Sequence, residues 1–170
     1  ANAPVFLRDC QAEDAHFCQL LDHLHRDQFV AQVPAVVVGH DLVVGKAAEL
    51  AKRSDVAVVV AGSYSTEGVD RRCLSLECPP IFGDQDSLIR QVAAANGNTV
   101  VVVESGGPIL TPWRGRVGAL LEAWYPGSEG GRAIARVLFG KVDASGRLPV
   151  TFPRREADLP TAGDENAYPG

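Results

Sequence analysis

Residues 54–62 read SDVAVVVAG, and residues 98–104 read NTVVVVE. Each stretch is an almost unbroken run of apolar, mostly β-branched residues, which is typical of strands buried on both faces. Between them a helical pattern begins at Asp84, a suitable N-cap, and ends at Asn96-Gly97. The residues on its apolar face are Leu88, Ile89, Val92 and Ala93. Buried strands that alternate with helices predict a parallel sheet covered on each side.

The alternation continues in both directions along the chain. Upstream, residues 35–38 form a β-branched run, and a helical pattern with apolar residues at 47–51 follows. Downstream, we assign 118–125 as a strand, because a helix with Ser128 as N-cap begins directly after it. That helix should turn four residues inward, Ala133, Ile134, Val137 and Leu138. A last short strand is expected at 149–152. We predict an α/β protein, a single three-layer domain with a mostly parallel sheet and helices on both faces.

Composition narrows the class of protein. The chain has 170 residues, a net charge of −5 and 46% apolar residues, as expected of one packed domain. The negative net charge argues against nucleic acid as a partner. The apolar runs are far shorter than the roughly 20 residues of a membrane span, which argues against a membrane protein. His16, His23 and His25 lie in a helical stretch without a completing carboxylate or Cys, so we expect no metal and no cofactor.

Neither the four cysteines nor the first residues of the chain identify the cellular compartment of the protein. Cys73 and Cys78 flank one short segment, so they could form a disulfide in a secreted protein or remain inert thiols. The chain begins at Ala1, contains no Met and shows no signal peptide. We therefore expect a processed product or a part of something longer.

The most informative stretch for function is the long loop at 62–83. Ligands of open α/β sheets bind at the carboxyl ends of the strands, and structureless loops beyond ~12–15 residues are usually functional. The sequence contains no dinucleotide-binding motif, no P-loop and no GxSxG nucleophile elbow. We interpret the glycine-rich segments at 105–108 and 127–131 as tight turns and helix caps. What remains as a candidate in this loop is a carboxylate, Glu67. Most glutamates in loops are solvated, and from the residues alone this is the favoured interpretation of Glu67.

An ordered series of motifs carries a resemblance. SDVAVVVAG is followed by STEGVDR at 65–71, and the series continues through LLEAWYPGSEGGRAIARVLFG at 120–140 to DASGRLPVTFP at 143–153. In this order the motifs resemble the C-terminal α/β domain of family 3 glycoside hydrolases, the β-glucosidase and β-xylosidase group. The resemblance divides the chain into three parts. Residues 1–44 match poorly and are expected to add a helix and a strand to the same domain, 45–153 form the family domain, and 154–170 form a linker toward a following domain.

The resemblance implies a retaining mechanism and a set of site residues. An Asp on an N-terminal barrel domain acts as nucleophile, and a Glu in an S-x-E-G-x-D-R setting, here Glu67, acts as general acid and then base. Asp70 and Arg71 match the same motif and are expected to support the loop or to contact sugar. Trp113, like Trp124, is expected to pack in the core or between domains, or to stack on a sugar ring. Glu104 is a departure from the family pattern.

Other departures limit what this chain can do. The residues ECPPIF at 77–82 extend the loop beyond the usual pattern, and the 170 residues contain neither the Ser-Asp-Trp nucleophile motif nor the Lys-His sugar-binding pair of the barrel. The partners implied are a β-glycoside substrate and the N-terminal barrel, and the isolated chain is predicted to be inactive. Two alternatives stay open: a non-catalytic packing or carbohydrate-contacting module, and a small-molecule-binding α/β domain.

Overall fold

The computed structural model of the chain describes residues 35–38, 44–68, 71–78 and 83–160, and of 35–38 the backbone alone. The expected helical stretch that contains His16, His23 and His25 lies outside the described residues, as do the loop residue Asp70 and residues 161–170 of the expected linker.

Within the described residues, the sheet consists of four parallel strands. They are β1 (Ala35–Val38), β2 (Ala57–Gly62), β3 (Thr99–Glu104) and β4 (Ala119–Glu122), and they lie side by side in this order. Val59 of β2 lies opposite Val101 of β3, which in turn lies opposite Leu120 of β4. A strand therefore forms within the predicted range 118–125, but it is shorter and covers Ala119–Glu122.

Helices cover both faces of the sheet, which confirms the predicted three-layer α/β class. Helices α1 (Val44–Lys52) and α2 (Gln85–Ala95) pack on one face, against the odd-numbered valines of β2 and β3. Helix α3 (Gly130–Leu138) packs on the other face, where Ile134 and Ala135 contact Val58 and Val102. Because neighbouring side chains of a strand point to opposite faces, continuous valine runs supply both cores at once.

The boundaries of α2 follow the sequence signals. The side chain of Asp84 accepts a hydrogen bond of 2.7 Å from the backbone N–H of Ser87, and Asn96 is the C-cap. The four residues of the predicted apolar face are all buried. The Asp84 and Asn96 signals thus placed both ends of this helix correctly.

Three predicted details after β4 are wrong. Ser128 is not the N-cap of α3: the cap is Glu129, without a side-chain hydrogen bond, because the N–H of Gly130 bonds the carbonyl of Gly127 instead (3.0 Å). Ala133 of this helix is exposed rather than inward. No strand forms at 149–152, where Pro149 and Pro153 lack the N–H that a strand ladder needs.

The described helices are short. They contain 9 to 11 residues, and none of those in the described ranges is long and apolar enough to cross a membrane. Two single turns of 3₁₀ helix, Arg114–Arg116 and Glu156–Asp158, complete the described elements.

Candidate functional site at the carboxyl edge of the sheet

Strands β2, β3 and β4 end together at one edge of the sheet, and the loops that follow them meet there. Gly62 at the end of β2 lies opposite Glu104 at the end of β3. A Cβ atom on Gly62 would come within 2.8 Å of the Glu104 backbone oxygen, so only glycine fits at this position. The N–H of Ser63 donates to the same oxygen at 3.0 Å. The long loop therefore starts in close contact with the neighbouring strand.

Gln85 joins the start of this loop to its middle. Its side-chain oxygen accepts from the Gly62 N–H (2.9 Å), while its amide nitrogen donates to the carbonyls of Gly62 (2.9 Å) and Leu76 (3.1 Å). Gln85 itself is buried at the start of α2. A single amide thus binds the first residue of the loop and a residue in its middle.

The middle of the loop lies on the body of the domain. Leu76 is buried in the core, and Cys73 and Cys78 on either side of it are joined by a disulfide, which answers the question the sequence left open. The backbone of Leu74 accepts a hydrogen bond from the Leu110 N–H (2.9 Å) and donates one to the carboxylate of Glu156 (2.6 Å). Residues 73–78 are consequently held in place by contacts with distant parts of the chain.

Arg71 attaches the loop to the turn that follows β3. One nitrogen of its guanidinium group, Nη2, donates to the backbone carbonyl of Pro108. The other terminal nitrogen, Nη1, is buried without a hydrogen-bond partner in the described part of the chain. Of the two roles expected for Arg71, this contact is of the loop-supporting kind.

Glu67 lies on the part of the loop that faces solvent. Its side chain is exposed, and within the described residues its carboxylate has neither a hydrogen-bond nor an ion-pair partner. Gly68 next to it has φ of +81°, a conformation that favours glycine. On the other side, Ser65 lies against Gly106, where an added Cβ atom would approach the serine side chain to 3.2 Å. Glu67 is thus presented between two attached residues, Ser65 and Arg71.

Trp113 lies in the core rather than at the surface. The side chain is fully buried, and its indole nitrogen donates to Asp86 Oδ1 at 2.6 Å. The second oxygen of Asp86 accepts from the hydroxyl of Ser75 in the long loop at 3.2 Å. In this chain Trp113 offers no ring face to a sugar, and the geometry is that of a residue that supports the loop through Asp86.

Trp124 takes a different position, partly exposed at the end of β4. It adopts a positive φ of 54° and packs edge to face against Phe152 at 6.0 Å between ring centroids. Its neighbour Tyr125 donates a hydrogen bond of 2.6 Å to the carbonyl of Ser63. The turn after β4 is thereby joined to the start of the long loop.

Sequence reasoning missed Glu122, a partly buried carboxyl group at the carboxyl end of β4. It accepts hydrogen bonds from the backbone N–H of Trp124 (2.9 Å) and from the hydroxyl of Ser105 (3.1 Å). Burial raises the pKa of Glu122 above its ordinary value, against the effect of these hydrogen bonds, and the nearby charge of Glu104 raises it further. The available signal was one acidic residue inside the apolar run LLEAWY.

Other features of the described residues lie away from Glu67. A cleft of about 860 Å³ runs between β4, α3 and residues 143–148, and Glu67 is not among the residues that line it. Within the described ranges, no group of three His, Cys, Asp or Glu side chains is placed to hold a metal ion. The turn at 105–108 is occupied by protein contacts from Ser65, Tyr125 and Arg71. The exposed carboxylate on its attached loop therefore remains the main candidate.

An α/β domain that carries such a loop at the carboxyl edge of its sheet matches a known family. The profile of the glycosyl hydrolase family 3 C-terminal domain matches residues 17–169. The chain belongs to this family and represents its C-terminal domain. The match begins upstream of residue 45 and extends past residue 153, the limits that the motifs alone suggested.

Individual relatives agree with this assignment. The chain is 43% identical over 134 residues to a beta-glucosidase of Rhizobium radiobacter and 47% identical over 128 residues to beta-glucosidase B of Emericella nidulans. These matches cover 76% and 74% of this chain, but only 16% and 14% of the relatives. The chain therefore spans about a sixth of the length of the curated relatives it matches.

Solved structures give the same picture. DesR, a beta-glucosidase from Streptomyces venezuelae solved in complex with D-glucose, is 44% identical with a TM-score of 0.68, over 75% of this chain and 16% of that chain. A family 3 beta-glucosidase of Bifidobacterium adolescentis is 33% identical with a TM-score of 0.71, over 89% of this chain and 23% of that chain. At these identities the likeness extends beyond the fold to the sequence of the domain.

Proposed function

We propose that this chain is the C-terminal domain of a retaining β-glycosidase that hydrolyses β-glucosides or β-xylosides, with Glu67 as general acid and base. The observation that carries the proposal is the position of Glu67. Its carboxylate is exposed and without a partner in the described residues, while the loop on both sides of it is attached to the domain. The active site would be shared with an N-terminal barrel domain that supplies the nucleophile.

The proposed reaction is a double displacement at the anomeric carbon. In the first step a carboxylate of the barrel attacks this carbon, and the protonated Glu67 donates its proton to the departing glycosidic oxygen. In the second step the ionised Glu67 takes a proton from the water that attacks the glycosyl-enzyme ester. Retaining geometry places the two carboxyl groups ~5–5.5 Å apart. Such a short distance across a domain junction requires a loop with a fixed conformation.

The contacts of the loop suit this requirement. Arg71 anchors the part of the loop that follows Glu67 through its hydrogen bond to Pro108. Ser65, which precedes Glu67, lies against Gly106. Trp113 supports the loop indirectly, because it donates to Asp86, which also accepts a hydrogen bond from Ser75 in the loop. We propose the same supporting role for Asp70, which belongs to the same motif as Arg71. None of these side chains needs to contact the sugar for the loop to work.

The barrel would also supply the surroundings that general acid catalysis needs. A carboxyl group that donates a proton near neutral pH has to be kept protonated, which a closed and partly dry cleft can do. Glu67 is exposed in this chain, so we propose that the barrel covers it. A single carboxyl group cannot run a double displacement, and we therefore propose that the 170-residue chain alone is inactive.

The choice of substrate rests on the relatives. Those named above are beta-glucosidases, and one of them was solved with D-glucose. A β-glucoside is accordingly the first substrate to test.

The test compares Glu67→Gln with Glu49→Gln in the full-length protein. Glu49 is an exposed glutamate on α1, remote from the loop, and serves as the matched control. With alkyl β-glucosides, whose leaving groups need a proton, we expect kcat/KM of Glu67→Gln to fall by about 10²- to 10⁴-fold. With 2,4-dinitrophenyl β-glucoside, formation of the glycosyl-enzyme should be nearly unchanged, as seen in the burst phase. An equal loss on both substrates, or no loss on either, would contradict the proposed role.

A further inference from the structure

Two exposed tyrosines lie at the same edge of the sheet as Glu67. Among the aromatic side chains of the described residues, only Tyr64 and Tyr125 are exposed, at 49% and 52%, while the tryptophans and phenylalanines are buried or half-buried. Tyr64 precedes Glu67 by three residues, and Tyr125 follows the carboxyl end of β4. The exposed aromatic surface of the described chain is therefore concentrated beside the loop that carries the exposed carboxylate.

The ring of Tyr125 has a fixed position across this edge. Its hydroxyl group donates to the Ser63 carbonyl at 2.6 Å, which joins the end of β4 to the start of the long loop. The ring also lies against Gly106, where an added Cβ atom would approach Tyr125 Cε2 to 2.9 Å and the side chain of Ser65 to 3.2 Å. Tyr125 and Ser65 thus share Gly106 as a neighbour, and Ser65 is two residues from Glu67.

The chemistry that Tyr125 offers to a ligand is that of a ring surface. The hydrogen of its hydroxyl group is used within the chain, so the exposed part of the side chain is mainly aromatic. A ring that is held in place before binding loses little conformational freedom when a ligand covers it. Such a surface favours contact with another aromatic ring.

The proposed function, on which this inference rests, determines what would meet this surface. The general acid protonates the glycosidic oxygen, the atom that joins the glycosyl residue to the leaving group. The nucleophile attacks from the barrel, so the leaving group departs on the opposite side of the anomeric carbon, next to Glu67. The surface of this chain beside Glu67 therefore faces the leaving group.

We propose that Tyr125, with Tyr64 beside it, contacts the leaving group and makes the enzyme favour β-glycosides whose leaving group contains an aromatic ring. A sugar leaving group would carry several hydroxyl groups that need polar partners, whereas the Tyr125 hydroxyl and the Ser63 carbonyl already bond to each other. The two tyrosines act on recognition of the substrate, and the proton still comes from Glu67.

The test measures kcat/KM of the full-length protein for benzyl β-glucoside and methyl β-glucoside. The two leaving alcohols have nearly equal acidity, so both substrates need the proton of Glu67 to the same extent and differ by the ring. Tyr125→Ala should lower kcat/KM for the benzyl substrate by about 5- to 50-fold. The loss for the methyl substrate should stay below about 3-fold, because Gln85 and Arg71 still hold the loop.

Three further measurements define the contact. Tyr125→Phe is the matched control: it keeps the ring and removes only the hydrogen bond to Ser63, so the benzyl-to-methyl ratio of kcat/KM should stay within about 3-fold of the wild-type ratio. Tyr64→Ala should lower the benzyl value by about 2- to 10-fold, with a smaller loss for the methyl substrate. Cellobiose separates an aromatic leaving group from a second sugar, and Tyr125→Ala should lower its kcat/KM less than that of benzyl β-glucoside.

Several outcomes would overturn the proposal. These are equal losses on the benzyl and methyl substrates in Tyr125→Ala, a change of the ratio in Tyr125→Phe as large as in Tyr125→Ala, no benzyl loss in either alanine variant, or a larger loss on cellobiose than on the benzyl substrate. Glu67→Gln should lower the benzyl and methyl values by the same factor and leave their ratio unchanged. If Glu67 were not the acid, neither value would fall in Glu67→Gln, so a failure of the proposed function is distinct from a failure of this inference.

Discussion

At the scale of single residues, the loop is held by polar side chains that bond to the backbone of distant segments. Gln85 binds Gly62 and Leu76, Arg71 binds Pro108, and Tyr125 binds Ser63. Backbone N–H and C=O groups in a long loop are not paired by a strand ladder or a helix. Each of these side chains therefore supplies a hydrogen-bond partner that regular secondary structure would otherwise provide. Glu67 differs from all of them because its side chain has no hydrogen-bond partner among the described residues.

Gln85 offers a direct test of this principle. Gln85→Ala removes three hydrogen bonds, one to the Leu76 carbonyl at a buried position and two to part-buried groups of Gly62, so we expect the free energy of unfolding to fall by about 2–4 kcal/mol. Gln91→Ala is the control, since Gln91 is exposed and bonds only the Ser87 hydroxyl across one helical turn. It should change the stability by less than about 0.5 kcal/mol. Urea unfolding measures both, and equal effects would contradict the role of Gln85.

Sequence reasoning found some of these residues and could not find others. Glu67 and Arg71 share one short motif, so the resemblance pointed to both. The more distant partner of Gln85, Gly62, lies 23 residues away, and the partner of Tyr125, Ser63, lies 62 residues away. No local pattern specifies such contacts, because they depend on how strands and loops come together in space.

At the scale of elements, β2 and β3 fix the point where the loop begins. Their pairing continues to the last residue, and Gly62 lies so close to Glu104 that the two backbones exclude a side chain. Chain direction at the start of the loop is therefore set by the sheet itself.

A pair of glycine substitutions tests this contact. Gly62→Ala should destabilise the domain by about 1–3 kcal/mol, because the new Cβ would meet a backbone oxygen that cannot move independently of the strand. Gly45→Ala in α1 has nothing within 4 Å and should cause no loss, or a gain of up to about 1 kcal/mol from helix propensity. Thermal or urea unfolding of the two variants checks the prediction, which would be wrong if Gly62→Ala were as stable as the wild-type chain.

The elements themselves were largely predictable, and the errors have physical causes. The valine runs of β2 and β3 and the Asp84 cap of α2 are local signals, and the strand at 118–125 followed from the alternation. The error at Ser128 arose because a backbone turn from Gly127 to Gly130 replaced the side-chain cap. The error at 149–152 arose because Pro149 and Pro153 lack the N–H groups that a strand ladder needs.

At the scale of the whole molecule, the chain represents one domain of a family of longer proteins. It spans about a sixth of the length of its curated relatives, and the proposed function assigns the rest of the active site to a domain outside these 170 residues. The fold could be predicted from the valine-rich runs and the helix signals. The partner that would cover Glu67 is implied only by the resemblance, since the 170 residues carry no motif of the barrel.

The most direct measurement is azide rescue of Glu67→Ala in the full-length protein, with 2,4-dinitrophenyl β-glucoside as substrate. Without its base, the variant should accumulate the glycosyl-enzyme and turn over slowly. Azide needs no deprotonation, so it should restore turnover and yield β-glucosyl azide, because it attacks the intermediate from the face that water would use. Absence of rescue in an enzyme that otherwise forms the intermediate, or an α-glucosyl azide product, would contradict the assignment of Glu67 as acid and base.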